Sequence, residues 1–66
     1  MVGRTGRVTG KVGPGRVGEV IIPIRGGSEA FNAYPYLADE ELAIGELAVV
    51  MEYVEPRTVY VSPAHR

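Results

Sequence analysis

Between Thr5 and Ile24 the chain reads TGRVTGKVGPGRVGEVIIPI, and this run excludes more folds than any other stretch of it. Gly6, Val8, Gly10 and Val12 fall on one side of an extended chain, with Arg7, Thr9 and Lys11 on the other. A period of two marks a half-buried strand, here expected over Gly6 to Val12. Glycines on the inward side leave room for close backbone approach or a sharp bend. Gly13-Pro14-Gly15-Arg16 predicts a turn, because proline fixes φ and glycine reaches φ > 0 without a Cβ penalty. A second strand is expected from Val17 to Arg25, with Val20, Ile22 and Ile24 on one face and Glu19, Ile21, Pro23 and Arg25 on the other. Pro23 has no N–H for a ladder and so belongs at an edge or a bulge.

Gly26-Gly27 fits a two-residue hairpin turn of the primed type. A third strand follows from Ser28 to about Ala33, with Glu29, Phe31 and Ala33 on one face and Phe31 expected in the core. Tyr34-Pro35-Tyr36-Leu37 leaves that strand, since a residue before proline avoids the helical region. Ala38 to Leu42 has room for one helical turn, with Asp39 favourable at its N-terminus. Ala43-Ile44-Gly45-Glu46 reads as an apolar anchor and a turn glycine. Strand four runs from Leu47 to Val54, with Ala48, Val50 and Val54 set against Leu47, Val49, Met51 and Tyr53, so both faces are largely covered. Glu55-Pro56-Arg57 makes a hairpin turn into strand five, Thr58 to Ser62, which Pro63 stops; Ala64-His65-Arg66 is expected to fray. No stretch holds a 3.6-residue period, so a long helix is excluded. The prediction is an all-β chain, an OB-like five-stranded barrel, with an SH3-like barrel as the rival.

At 66 residues this is one domain, and a chain so short buries only about 60% of its unfolded surface. It has no cysteine, hence no disulfide or thiolate metal site to support it. Arg4, Arg7, Lys11, Arg16 and Arg25 face only Glu19 in the chain up to Gly27. Glu29, Asp39, Glu40, Glu41, Glu46, Glu52 and Glu55 face Arg57 and Arg66 after it. Halves of opposite sign either pair across strands or make a dipolar surface. No apolar run approaches the roughly 20 residues of a membrane span, and no signal peptide is visible. The chain as it stands is expected to be soluble, and its strand-like start suits an excised domain with an added Met1.

The residues that carry chemistry elsewhere are poorly arranged here. A triad drawn from Ser28 or Ser62, His65 and Asp39 fails because the single histidine lies one residue from the end, with nothing to orient it. Asp39-Glu40-Glu41 are consecutive acids that diverge, unlike the spaced ligands of a calcium loop. Gly10 to Gly15 contains Lys11 but opens a strand, not the helix of a phosphate loop. No catalytic residue, metal ligand or cofactor is therefore assigned, and the chain is read as a non-enzyme. Two surfaces remain. Arg4, Arg7, Lys11, Arg16 and Arg25, with Tyr34, Tyr36, Tyr53 and Tyr60, suggest a groove for single-stranded nucleic acid. A net charge of −1 speaks against it. Tyr34, Tyr36 and Leu37 on the link after strand three suggest a patch for a protein partner, or a cap over the open end of the barrel.

The order of these features resembles the C-terminal soluble domain of the NfeD family, the stomatin-operon partners, over about nine-tenths of the chain. The matching pieces are the opening Gly3-Arg4-Thr5-Gly6, the turn Pro14-Gly15-Arg16-Val17, the alternation Val20, Ile22, Ile24, then Ala33, the loop end Ile44-Gly45, and the close Val59-Tyr60-Val61-Ser62-Pro63. The Pro14 turn is one residue tighter than the family pattern, and Ile44 and Gly45 are adjacent where the family spaces them. The resemblance implies a bacterial or archaeal membrane protein whose barrel follows several transmembrane helices, at the cytoplasmic face of the membrane. It implies a partner of the stomatin or flotillin scaffold type, or self-association. Long members carry a protease domain, which nothing here matches. The expected role is thus a protein-interaction module, with nucleic-acid binding as the alternative.

Overall fold

A computed structural model describes residues 1–64. Five strands follow in order: β1 (Thr5–Gly10), β2 (Gly18–Ile24), β3 (Gly27–Pro35), β4 (Leu47–Val54) and β5 (Thr58–Pro63). They close in the order β1-β2-β3-β5-β4, with β4 returning to β1. Every neighbouring pair is antiparallel except β3 and β5, which run parallel. This crossover closes the barrel in the OB-like manner and sets aside the SH3-like alternative. There is no helix among the described residues, so none is long and apolar enough to cross a membrane.

The core is what period two predicts for most of the chain. Val8, Val20, Ile22, Phe31, Ala33, Ala48, Val50, Val59 and Val61 are buried, each from the inward face of its strand. Gly6 shows why β1 needs glycine inside: a Cβ there would sit 2.7 Å from the Ile21 carbonyl oxygen and 2.8 Å from Ile22 Cγ1. A strand residue turns its N–H and C=O to the same side. The Pro23 carbonyl accepts from Arg4 Nη1 at 3.2 Å, so its missing N–H faces the β1 side, where pairing with β1 has ended at Ile21.

Several expectations need correction. The β2–β3 hairpin turn is Arg25-Gly26, closed by Ile24 opposite Gly27, rather than Gly26-Gly27. Gly26, the second central residue, has positive φ (80°) and Arg25, the first, does not; both primed types need φ > 0 at the first position, so neither is formed. Strand three runs on through Tyr34 and Pro35, because β5 offers Tyr60 and Val61 as parallel partners. Between β3 and β4 the helical turn is absent. The Glu40 N–H instead closes a turn on the Leu37 carbonyl, and Leu42 exchanges two backbone hydrogen bonds with Val12 at 2.9 and 3.1 Å. Leu42, fully buried, is the anchor of this link, while Ile44 is 67% exposed.

The alternation of β4 also differs. Val50 lies opposite Val61, but Glu52 lies opposite Tyr60, so one extra residue, Met51, is bulged out. Side chains beyond a bulge change faces. Tyr53 therefore packs against the core and Val54 is exposed. A second bulge, at Thr9 between the pairs Val8–Val20 and Gly10–Glu19, ends β1 two residues earlier than Val12.

Candidate docking surface

The parallel junction of β3 with β5 creates the most unusual surface of the barrel. Ala33, Val59 and Val61 point inward, so their neighbours Tyr34 and Tyr60 point out; Ser62 takes the same outward register but is itself buried, 6% exposed. Register then sets three rows across β3, β5 and β4. Asn32, Thr58 and Val54 form the first, and Tyr34, Tyr60 and Glu52 the second. Tyr36, whose N–H donates to the Val61 carbonyl at 2.8 Å, extends the ladder into a third row with Ser62 and Val49. Met51 is pushed out beside them by its bulge.

The tyrosines are stacked rather than scattered. The rings of Tyr34 and Tyr60 lie 5.6 Å apart at 32°. Both are half-buried, whereas Tyr36 and Leu37 are 46% and 47% exposed. Among the described residues, no hydrogen bond ties the hydroxyl of Tyr34, Tyr36 or Tyr60 to the protein. A ring that buries its body and leaves its O–H in water is characteristic of interfaces. Tyr36, Leu37, Met51 and Val54, each more than 40% exposed, continue the apolar area. The expected patch of Tyr34, Tyr36 and Leu37 is thus assembled in part by a strand, and is larger than its own segment. Tyr60, Val49 and Met51 were missed. The alternation of Val59 and Val61 signalled that Tyr60 faces out, but nothing local reveals that β5 lies beside β3.

The basic residues are not gathered into one groove. Arg4 and Arg7 donate to main-chain carbonyls, of Pro23 at 3.2 Å and of Gly45 at 2.9 Å. They flank a shallow apolar groove outside β1, lined by Thr5, Gly6, Ile21, Pro23 and Leu47. Lys11 pairs with Glu41 at 3.9 Å. Arg16 lies in the β1–β2 loop and Arg25 in the β2–β3 turn, both exposed. OB barrels bind single strands across β2 and β3 between the first and last hairpin loops. Here the outward residues of that face are Glu19, Ile21, Pro23, Ser28, Ala30 and Asn32, with neither an aromatic nor a cation. Tyr53 is withdrawn from any such role. It packs edge-on to Phe31 (6.3 Å, 78°) and donates its hydroxyl to the Pro56 carbonyl at 3.0 Å.

Chemistry-bearing side chains are dispersed. Ser28 pairs opposite Pro23 and Ser62 opposite Val49, on separate strands; His65 lies outside the described residues. Asp39, Glu40 and Glu41 lie along the β3–β4 link, and no group of three or more acids or histidines among the described residues is placed to hold a metal ion. Arg57 is held at the open end of β3, where it donates to the Ala30 carbonyl at 3.0 Å, pairs with Glu29 at 3.5 Å and lies 6.0 Å from the centre of the Phe31 ring.

Comparison with known proteins agrees with this architecture. The family described as NfeD C-terminal domain matches residues 5–62. Among solved structures, the chain is similar to the solution structure of the soluble domain of the NfeD protein YuaF from Bacillus subtilis. The TM-score is 0.79 at 25% sequence identity, covering 97% of this chain and 74% of that one. No curated protein matches the chain.

Proposed function

The chain belongs to the NfeD C-terminal domain family, and from that premise we propose that it is a non-catalytic protein-interaction module. It is the soluble domain of an NfeD-like membrane protein, set at the cytoplasmic face of the membrane, and it docks on a scaffold protein of the stomatin or flotillin type. The observation that carries the reading is the outer face of β3, β5 and β4, where Tyr34, Tyr36 and Tyr60 lie together with Leu37, Met51 and Val54. Rigid aromatic side chains supply much contact area at small entropic cost, and they dominate the energetic centres of interfaces. A standard interface takes about 800 Å² from each partner. That is about a fifth of the 4094 Å² this chain exposes, so one side of the barrel suffices.

The test is binding of the purified domain to the stomatin- or flotillin-type protein of the same organism. The combined variant Tyr34→Ala, Tyr36→Ala and Leu37→Ala should weaken binding by at least about tenfold, since truncation of a central interface aromatic costs more than about 1 kcal/mol. Binding left intact by these substitutions removes the face from the account. A wild-type domain that binds no such scaffold removes the partner.

A further inference from the structure

We infer that the outer face of β3, β5 and β4 receives a basic amphipathic helix; this deepens the interaction reading by giving the chemistry of the partner segment. The first argument is charge. Within the three rows of that face the one charged side chain is Glu52, which lies opposite Tyr60 in the aromatic row. Glu55 follows Val54 in the turn, and Asp39 comes two residues after Leu37 in the link. Arg57, at the end of the same sheet, is directed away to Glu29 and the Ala30 carbonyl. Arg4 precedes β1, beside Val50 of β4, but its guanidinium is turned to the Pro23 carbonyl of β2; Arg7 and Arg25 belong to β1 and the β2–β3 turn, and the β1–β2 seam lies across the closed barrel from β5. Apolar and aromatic area edged, among the described residues, by carboxylates complements a segment with an apolar stripe and cationic flanks.

The second argument is backbone satisfaction. β5 is paired with β3 on one side and with β4 on the other, and β4 continues to β1. Both edges of β5 are thus taken within the three rows, and the stretch of β3 ahead of Asn32 has its Ala30 carbonyl capped by Arg57, so a partner over the tyrosines cannot pair there as an added strand. It must dock through side chains laid across the sheet. An amphipathic helix does this, with apolar anchors every three to four residues and cations on either side. The free hydroxyls of Tyr34, Tyr36 and Tyr60 supply polar contacts within the apolar area.

The probe is a leucine/lysine amphipathic peptide of about 18 residues, five helical turns, beside a leucine/glutamate counterpart with the same stripe. Binding is read from fluorescence anisotropy and from amide shifts of the isotope-labelled chain. The leucine/lysine peptide is expected to bind at least about tenfold tighter than its counterpart and to move the amides of Tyr34, Tyr60 and Glu52. Glu52→Lys with Glu55→Lys should weaken it about tenfold and flatten its salt dependence, while Glu52→Gln has an intermediate effect. Equal binding of the two peptides, or shifts confined to Arg4, Arg7 and Arg25, overturns the inference. So does concentration-dependent dimerisation through this face, which would make a second copy the occupant. The outcomes separate from those of the scaffold test. A scaffold that binds the Glu52→Lys/Glu55→Lys variant as tightly as wild type upholds the interaction module and sinks the basic helix. A leucine/lysine peptide held at the face while the scaffold is ignored upholds the surface chemistry and sinks the named partner.

Discussion

Replacing Leu42 with alanine should cost this barrel a large share of its stability, while the same change at Ile44 should cost almost nothing. Both lie in the link between β3 and β4, two residues apart. Leu42 is fully buried and locked by two hydrogen bonds to Val12, whereas Ile44 is 67% exposed. Leucine-to-alanine changes in a packed core lose the transfer energy of the side chain and leave a cavity, together about 3 kcal/mol within a range of 2–5. A chain of 66 residues at roughly 0.05–0.15 kcal/mol per residue has about 3–10 kcal/mol in all. Leu42→Ala should therefore lower Tm by about 12–24 °C, at roughly 4–8 °C per kcal/mol for so small a domain. In urea, with a slope of about 1 kcal/mol per M, the midpoint should fall by about 3 M. Should Leu42→Ala leave no folded baseline, Leu42→Met, nearly conserving volume, should cost under about 1.5 kcal/mol and restore a measurable transition. Ile44→Ala should stay within about 0.5 kcal/mol of wild type. An Ile44→Ala loss equal to or above that of Leu42→Ala would refute the placement of the link.

Gly6→Ala should destabilise by about 2 kcal/mol, because its Cβ would meet the Ile21 backbone at 2.7 Å. Gly27→Ala, which meets nothing within 4 Å and has no positive φ, should be neutral or gain about 0.5 kcal/mol by thermal unfolding. Glu29→Gln should change stability by less than about 0.5 kcal/mol, since both members of its pair with Arg57 are more than half exposed. Arg57→Met should cost about 1 kcal/mol, because the donor to the Ala30 carbonyl goes with it; denaturant titration separates the two. Adding a single-stranded oligonucleotide at about 50 mM salt should leave the amides of Arg4, Arg7, Lys11, Arg16 and Arg25 unmoved, whereas salt-sensitive shifts there would revive the nucleic-acid reading.

What the sequence revealed and what it hid divides along local and non-local physics. The inward faces of β1, β2 and β5 follow directly from alternating Val and Ile, and the turns from Gly and Pro, because each is decided by neighbours in the chain. Pro23 could be placed at a lapse in pairing for the same reason. Met51 gave no such signal. An apolar residue in an apolar run looks the same bulged or paired, and its bulge is set by how β4 meets β5. Leu42 and Ile44 are alike in hydrophobicity. Which one enters the core depends on Val12 waiting across the barrel with an unpaired N–H and C=O. The proposed docking face was legible only as Tyr34, Tyr36 and Leu37. Its other half, Tyr60, Val49 and Met51, comes from β5 and β4, which the parallel crossover brings beside β3. A crossover leaves no trace in any one segment.

The most direct test of the interaction account is NMR cross-saturation from an unlabelled stomatin- or flotillin-type scaffold to the labelled chain. The account predicts attenuation clustered on Tyr34, Tyr36, Leu37, Met51, Glu52 and Tyr60. Attenuation centred on the groove of Arg7, Ile21 and Pro23 instead, with the tyrosine face unaffected, would contradict it.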